Sequence, residues 1–376
     1  FTPLERVVDP VLIVDDGRIV SLTPRSHAPI PAGIPIVDFP GAVLAPGFVD
    51  IHIHGGAGHD VMQADDSGLD AVEAQLVRHG VTSYCPTTVT APVDLTLSAL
   101  DRLSRRIERA SSRRELRAQP LGVHLEGPFI SHAKRGVHPP AELRAPSVPL
   151  FERLLQAAHG QVTLITIAPE LPGAAEMIAA AAQRNLCVSL GHSDAALEDA
   201  QKAVAAGARH ATHTFNAMRA LDHREPGILG VVLGDDRLTA DIIADGIHVH
   251  PATVALFLKA KGPAGAVLIT DAISATGCGD GRFRLGGFEV TVNGERCELD
   301  GRLAGSVLTL DRAVRNVMHF ARWELQEAVR LATLNPARVA GVSDRKGSLS
   351  AGMDADIVVL TPRGEVVQTI CRGVIP

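Results

Sequence analysis

His52-Ile53-His54 sets two imidazoles two residues apart. In an extended strand such residues share a face, so both rings can address one ion. Further along, Glu126 in HLEGPF, His192 in GHSDA, His213 in THTFNAM and Asp271 in LITDA each close a short apolar run. Imidazole and carboxylate are the ligands that zinc or iron takes. An ion with an open position can hold a water and lower its pKa to about 7. Taken singly, each residue has an ordinary alternative. H-x-H recurs by chance, Glu126 also reads as a salt-bridged carboxylate near a loop, His192 and His213 as satisfied core histidines, and Asp271 as a helix N-cap. Jointly, five of eight predicted strands end in a ligand-type residue, and that pattern points to a metal centre.

The elements that must position these residues alternate. Short β-rich runs fall at 48–54, 81–88, 121–126, 162–168, 186–192, 210–215, 238–243 and 266–271. Between them, stretches such as 69–79, 94–110, 174–184 and 195–206 carry apolar residues at helical spacing. Eight such repeats predict an α/β fold, a closed (β/α)8 TIM barrel, whose catalytic residues sit at the C-terminal ends of the strands. An open doubly wound sheet is the alternative, but no G-x-G-x-x-G follows the first strand. The chain ends lack helical periodicity. Strand-like runs at 11–14, 18–22 and 36–38, with 356–360 and 366–371, predict one small β-sandwich. The expected division is a catalytic barrel over 48–342 and a β-sandwich from 1–47 with 343–376. An insert at 282–303 reads as a β-hairpin between the eighth strand and its helix.

Length and composition agree. A chain of 376 residues, 46% hydrophobic, accommodates a barrel of about 250 residues with additions. Aromatics are 3%, so the core must be built from Ala, Val, Leu and Ile. The net charge of -6 argues against a nucleic-acid partner but not against a small anionic substrate. Five well-separated cysteines, without C-x-x-C, suggest free thiols and a reducing, cytoplasmic setting. No apolar run reaches the ~18 residues of a membrane span. No basic segment followed by a long apolar one marks a signal peptide. The chain opens abruptly in a strand-like region, as a trimmed chain would.

PGFVDIHIHG, HLEGPF, GHSDA, THTFNAM, HREPG, IADGIHVHP, LITDAISATG, LAGS and KGSLSAGMDADIVVL occur in this order, from Pro46 to Leu360. Together they resemble the N-acetylglucosamine-6-phosphate deacetylases of the amidohydrolase superfamily. PGFVD-H-x-H and GxxADIVVL are generic to amidohydrolases, whereas HLEGPF, THTFNAM and REPG are more selective. The resemblance implies that Glu126, His192 and His213 hold a principal divalent metal, zinc or iron. His52 and His54 match a pair that holds a second ion in some members, so one or two ions per chain are expected. It further implies that Asp271 is the catalytic aspartate and that His138 in RGVHPP contacts the substrate near the reacting amide. Asn216 and the backbone of Ala217 match sugar- and phosphate-contacting positions. Arg224 and His248 match phosphate contacts supplied in part by the neighbouring subunit of a homodimer. A flexible loop at about 130–140 would cover the site. The implied reaction is hydrolysis of the acetamide of a phosphosugar, with Asp271 as acid and base and His138 helping the oxyanion.

Read on their own residues, these positions stay open. Arg224, on sequence alone, reads slightly better as an ordinary surface arginine. His248 and His250 form another H-x-H, beyond the predicted end of strand seven. His59, His124, His132 and His223 flank motifs without an assigned role. Three other functions compete. Cyclic-amide hydrolases use a bridging carboxylated lysine on the fourth strand, but VTLITIAPE has none. A non-enzymatic barrel would be expected to lose ligands, yet all are present. An acylase of N-acyl amino acids is disfavoured by REPG with Asn216.

Overall fold

The computed structural model describes residues 2, 4–28 and 33–376. Among them, eight parallel strands form the expected barrel: Phe48–Ile53, Val81–Thr88, Val123–Glu126, Val162–Ile167, Cys187–Leu190, His210–Ala211, Ala240–Ile243 and Ala266–Ile269. Strands one to six are hydrogen-bonded in sequence order, and strand seven pairs with strand eight. Two further seams complete the ring. Thr239 N–H donates to Arg209 O at 3.0 Å and Thr214 N–H to Asp241 O at 2.9 Å, joining strands six and seven. Asp271 N–H donates to His52 O at 2.9 Å and His54 N–H to Ala272 O at 2.8 Å, joining eight to one. A closed sheet leaves no free edge.

A helix follows each strand: Asp66–Arg78, Val93–Ser112, Val148–Ala157, Ala174–Gln183, Leu197–Ala206, Gly227–Gly234, Pro251–Gly265 and Leu310–Ala321. The second shows why they form. Its buried Ala99, Leu100, Leu103, Ile107 and Ala110 recur at helical spacing and face the strands. The first begins at Asp65, whose carboxylate accepts the Gly68 N–H at 2.9 Å. One continuous core of mostly Val, Ile, Leu and Ala fills the space between the layers, as the scarcity of aromatics predicts. No helix among the described residues is long and apolar enough to cross a membrane.

The chain ends build two small antiparallel sheets. Pro10–Asp15 pairs with Arg18–Pro24, and Ile357–Leu360 lies between Val43–Pro46 and Val366–Ile370. Ile19 and Leu22 from the first sheet share an apolar cluster with Leu44, Ile357 and Ile370 from the second. The strand expected at 36–38 is not formed. Ile36 and Val37 are 61% and 51% exposed, and the flanking Pro35 and Pro40 have no N–H to give a ladder. The pairing segment is Val43–Pro46 instead. Positions 1, 3 and 29–32 of the expected 1–47 segment lie outside the described residues. Lys346 of the KGSLSAGMDAD motif is buried against Asp354 Oδ2 at 3.0 Å and against Asp356.

The insert is more than the expected hairpin. Gly281–Leu285, Phe288–Asn293, Arg296–Leu299 and Arg302–Leu303 form a four-stranded meander. Three two-residue turns connect it, at Gly286-Gly287, Gly294-Glu295 and Asp300-Gly301. At the third, both residues have positive φ, 50° and 73°, as the tightest hairpin turns require. The meander's Leu285, Val290 and Val292 pack on Met62, Val89 and Ala275, against the loops that leave strands one, two and eight.

Gly80 links helix one to strand two at φ 81°. A Cβ there would meet the Phe48 ring and Val358 at 2.9 Å. Gly80→Ala therefore combines a left-handed backbone with overpacking. We expect a loss of about 2 kcal/mol or more, read as a lowered urea midpoint at unchanged slope.

Candidate metal centre

Strand three ends at Glu126, and strand one carries His52 near its end, with His54 immediately past it. The other three ligand-type residues lie two positions past their strands, which stop at Leu190, Ala211 and Ile269. His192, His213 and Asp271 each have positive φ, at 48°, 30° and 51°. Non-glycine residues take this conformation only when their surroundings hold them there. It turns each side chain back over the barrel mouth. The expected strands to 192, 215 and 271 are thus shorter, because the ladder cannot continue through such a residue.

Carboxylates hold these bends, two of them, Asp241 and Asp50, fully buried and the third, Glu170, partly so. Asp241, on strand seven, accepts the His213 N–H on Oδ1 and His210 Nε2–H on Oδ2, the latter at 2.9 Å. Asp50, on strand one, accepts the Thr270 hydroxyl at 2.6 Å and the N–H groups of Thr270 and His52 at 3.3 Å. Burial raises the Asp50 carboxyl to about 6 despite these donors. Glu170, beyond strand four, accepts the Asp194 N–H at 2.7 Å and the Ser193 hydroxyl at 2.8 Å. It thereby fixes the turn that begins at His192.

The five expected ligands and the expected catalytic aspartate, Asp271, converge. His192 Nε2 and His213 Nε2 lie 3.1 Å and 3.0 Å from Glu126 Oε1 and 3.0 Å from each other. His54 Nε2 lies 3.3 Å from Glu126 Oε2 and 3.0 Å from Asp271 Oδ1. His52 Nε2 lies 3.4 Å from Glu126 Oε1 and 3.5 Å from Asp271 Oδ1. Among the described residues, the metal-compatible groupings are Glu126–His192–His213 and His52–His54–Asp271.

The donor chemistry of the cluster fits a cation. The Lys134 carbonyl, 2.9 Å from His192 Nδ1, can only accept. The Thr87 carbonyl, 3.1 Å from His54 Nδ1, is the same. Both rings therefore carry hydrogen on Nδ1, and their neutral Nε2 atoms present lone pairs to carboxylate oxygens that also carry lone pairs. Such an arrangement is repulsive until positive charge enters it, as protons or as a metal. Burial alone would lower His54 and His213, but hydrogen bonds to Glu126, and to Asp271 for His54, raise His54 well above the usual range and His213 to about 9. Burial prevails at His192, which falls to about 4. Against their burial, Glu126 is held well below the carboxylate range by His52 and its other histidine neighbours. Asp271 is held at about 2 by its bond to His54 and the charges of His52 and His54.

The other expected residues fall into groups. His138 joins the cluster, its Nε2 3.6 Å from Glu126 Oε2. Its loop folds onto strand five, with Ser131 N–H donating to His192 O at 2.9 Å. Asn216 and Ala217 lie three and four residues after His213. Asn216 N–H donates to His213 O, and Ala217 O accepts the Ser193 N–H at 3.0 Å. His248 is set apart from the cluster's hydrogen bonds. Its Nδ1–H donates to Asp245 Oδ2 at 2.6 Å, and Asp245 is held below its usual range against its burial by that bond. Arg224 is exposed, its N–H donating to Asp222 Oδ1 at 2.8 Å. Among the described residues, no hydrogen bond or ion pair ties it to the cluster.

Two histidines left open by sequence find structural roles. His250 Nδ1 caps helix Pro251–Gly265 by accepting the Ala252 N–H at 3.2 Å. His124 lies beneath His52 and anchors a buried polar chain. Its Nδ1–H donates to Ile51 O at 3.2 Å, and its Nε2 accepts from Thr166 Oγ1 at 2.8 Å. Thr166 Oγ1 meets Thr212 Oγ1 at 2.9 Å, and Thr212 meets Ser189 Oγ at 2.5 Å. The supports Asp241, Asp50 and Glu170 were missed in sequence. The signal available for Glu170 was its place at the end of strand four, in APE.

Residues 43–375 match the amidohydrolase family. The chain is 39% identical over 362 residues to the N-acetylglucosamine-6-phosphate deacetylase of Bacillus subtilis, covering 96% of this chain and 91% of that one. It is 38% identical over 366 residues to the N-acetylgalactosamine-6-phosphate deacetylase of Escherichia coli O157:H7, covering 97% and 94%. Its structure is similar to that of N-acetyl-D-glucosamine-6-phosphate deacetylase from Mycobacterium smegmatis, solved as an aspartate-to-alanine mutant in complex with N-acetyl-D-glucosamine-6-phosphate. There the TM-score is 0.91 at 34% identity, covering 99% of this chain and 96% of that one.

The Glu170 support generates a prediction. Glu170→Ala frees the turn that orients His192, and zinc affinity should fall by about 10–100-fold in a chelator competition. Unchanged affinity would remove Glu170 from the support of the metal ligands.

Proposed function

The chain belongs to the amidohydrolase family, and from that premise we propose that it hydrolyses the acetamide of N-acetyl-D-glucosamine 6-phosphate to D-glucosamine 6-phosphate and acetate. The observation that carries this reading is the convergence of Glu126, His192, His213, His52, His54 and Asp271 at one barrel mouth, in a chain whose relatives over nearly its full length are deacetylases of acetamido-sugar phosphates.

Glu126, His192 and His213 would hold the principal metal, zinc or iron, and His52 and His54 a second. A divalent cation held by these residues would supply Lewis-acid polarisation of the acetyl carbonyl and would lower the pKa of a water to about 7. Asp271 is ionised and sits within hydrogen-bond reach of that region, 3.0 Å from His54 Nε2. It accepts the proton given up by the attacking water and returns it to the departing amine. His138 donates from Nε2 to the oxygen on which charge develops. Asn216 and the Ala217 backbone contact the sugar and phosphate. Arg224 and His248 bind the phosphate, partly across a homodimer, and the exposure of Arg224 suits a ligand that reaches the barrel rim. The enzyme would work in the cytoplasm, and the barrel, 48–342, would be a unit distinct from the β-sandwich of the chain ends.

Acetate release from N-acetylglucosamine 6-phosphate, compared with the unphosphorylated sugar and with N-acetylgalactosamine 6-phosphate, tests the reading. We expect the phosphorylated gluco-sugar to give the highest kcat/KM. Preference for the galacto-epimer would move the substrate to that sugar, and no release from either phosphosugar would end the deacetylase reading. Asp271→Asn should lower kcat by roughly 10²–10⁴ while the fold survives.

The number of ions is a separate measurement. Elemental analysis of zinc-reloaded protein should find about two per chain, falling to about one in His52→Gln/His54→Asn. One ion in both proteins, with unchanged activity, would leave His52 and His54 without a metal role.

A further inference from the structure

We propose that Thr90 is a positioning residue that decides which ring nitrogen of His138 carries the proton. The proposal deepens the deacetylase reading and rests on it for the role of His138. Thr90 lies two residues past strand two and is 3% exposed; His138 is 4% exposed. The Thr90 backbone N–H points at His138 Nδ1 from 3.2 Å. A backbone amide can only donate, so Nδ1 must offer its lone pair. Thr90 Oγ1, 2.8 Å from the same nitrogen, stands where its hydroxyl can donate to it as well. In the neutral ring the hydrogen is then confined to Nε2, the atom that faces Glu126 Oε2 at 3.6 Å. The opposite tautomer would set two N–H groups against each other and leave a buried amide unpaired.

The surroundings keep this pair in register. A Cβ on Gly127 would lie 2.1 Å from Thr90 Oγ1, so the residue after Glu126 must be glycine for the hydroxyl to reach His138. Gly127 also has φ 80°. Val89 and Val137, the residues preceding Thr90 and His138, pack in the apolar cluster of the meander. The insert thus presses the loop after strand two and the loop carrying His138 against one another. Thr90 never needs to touch substrate: it supplies a donor-bearing Nε2 before substrate arrives.

Thr90→Val and Thr90→Ser test this in the zinc-loaded protein with isotope-labelled histidine. Long-range proton–nitrogen spectra, recorded above the ordinary imidazole pKa, report the tautomer. His138 is assigned by the loss of its signal in His138→Gln. In the unsubstituted protein His138 should show protonated Nε2 and bare Nδ1. Thr90→Val keeps the shape and the backbone N–H but deletes the hydroxyl, the nearer of the two donors at 2.8 Å, and leaves the longer amide contact of 3.2 Å to hold the tautomer alone. It should lower kcat by about five- to tenfold with KM within about twofold, at unchanged zinc content, and reduce the Nε2-protonated population. Thr90→Ser should restore kcat to within about twofold of the unsubstituted enzyme. A protonated Nδ1 in the unsubstituted protein, a Thr90→Val enzyme with undiminished kcat, or a Thr90→Ser enzyme as impaired as Thr90→Val would each overturn the proposal. The tautomer is read without substrate. A protein with the expected His138 spectrum that releases no acetate therefore strikes the deacetylase reading and upholds the assignment of Thr90.

Discussion

Glu126 is a buried carboxylate that faces five imidazoles, those of His52, His54, His138, His192 and His213, all within 3.6 Å. A charge so far from water is stable only when its surroundings are polar and oppositely charged. The five rings come from strand one, the loops after strands five and six, and the loop after strand three. Bringing them to one oxygen pair requires a closed barrel, in which strands remote in sequence open onto the same mouth. Closure at the seams between strands six and seven, and between eight and one, is therefore part of the electrostatics of the site.

That convergence carries a backbone cost, and the structure offsets it locally. His192, His213 and Asp271 each sit in the left-handed region, and each bend is held by a carboxylate from a neighbouring strand or loop. Asp241 holds the amide of His213, Glu170 the turn after His192, and Asp50 the residue before Asp271. Beneath them, the His124–Thr166–Thr212–Ser189 chain crosses four strands. It satisfies the buried hydroxyls of Thr166, Thr212 and Ser189 and meets the cluster where the His124 ring packs edge-on against His52.

The barrel was legible because eight apolar runs alternate with amphipathic stretches, and that periodicity survives any detail of loop structure. The residues of the cluster stood out in sequence because strand ends are where a barrel exposes side chains, so a histidine or carboxylate there is conspicuous. Strand lengths were not. A run such as 210–215 looks extended in sequence, yet His213 and Phe215 turn to positive φ, a state imposed by tertiary hydrogen bonds that no local propensity encodes. The supports were invisible for the same reason. Asp50 and Asp241 read as ordinary interruptions of apolar strands, and only their partners across the barrel reveal what they do. The insert was recognised but undercounted. Its Gly-Gly, Gly-Glu and Asp-Gly turns are short enough that four strands fit where two were expected.

The meander leaves and rejoins the barrel at one place. Ser306 N–H donates to Asp271 O at 2.8 Å, and Ile273 N–H donates to Ser306 O at 3.0 Å. Its two feet are stitched together before the excursion begins. Lengthening a loop whose ends are already pinned adds only a slowly growing closure entropy, about 0.6 kcal/mol per doubling. The segment from Cys278 to Arg302 is thus insulated from the register of the eighth strand. Its outer turns form a graftable module, where selection or engineering can reshape the rim of the barrel mouth while the aspartate beneath keeps its address.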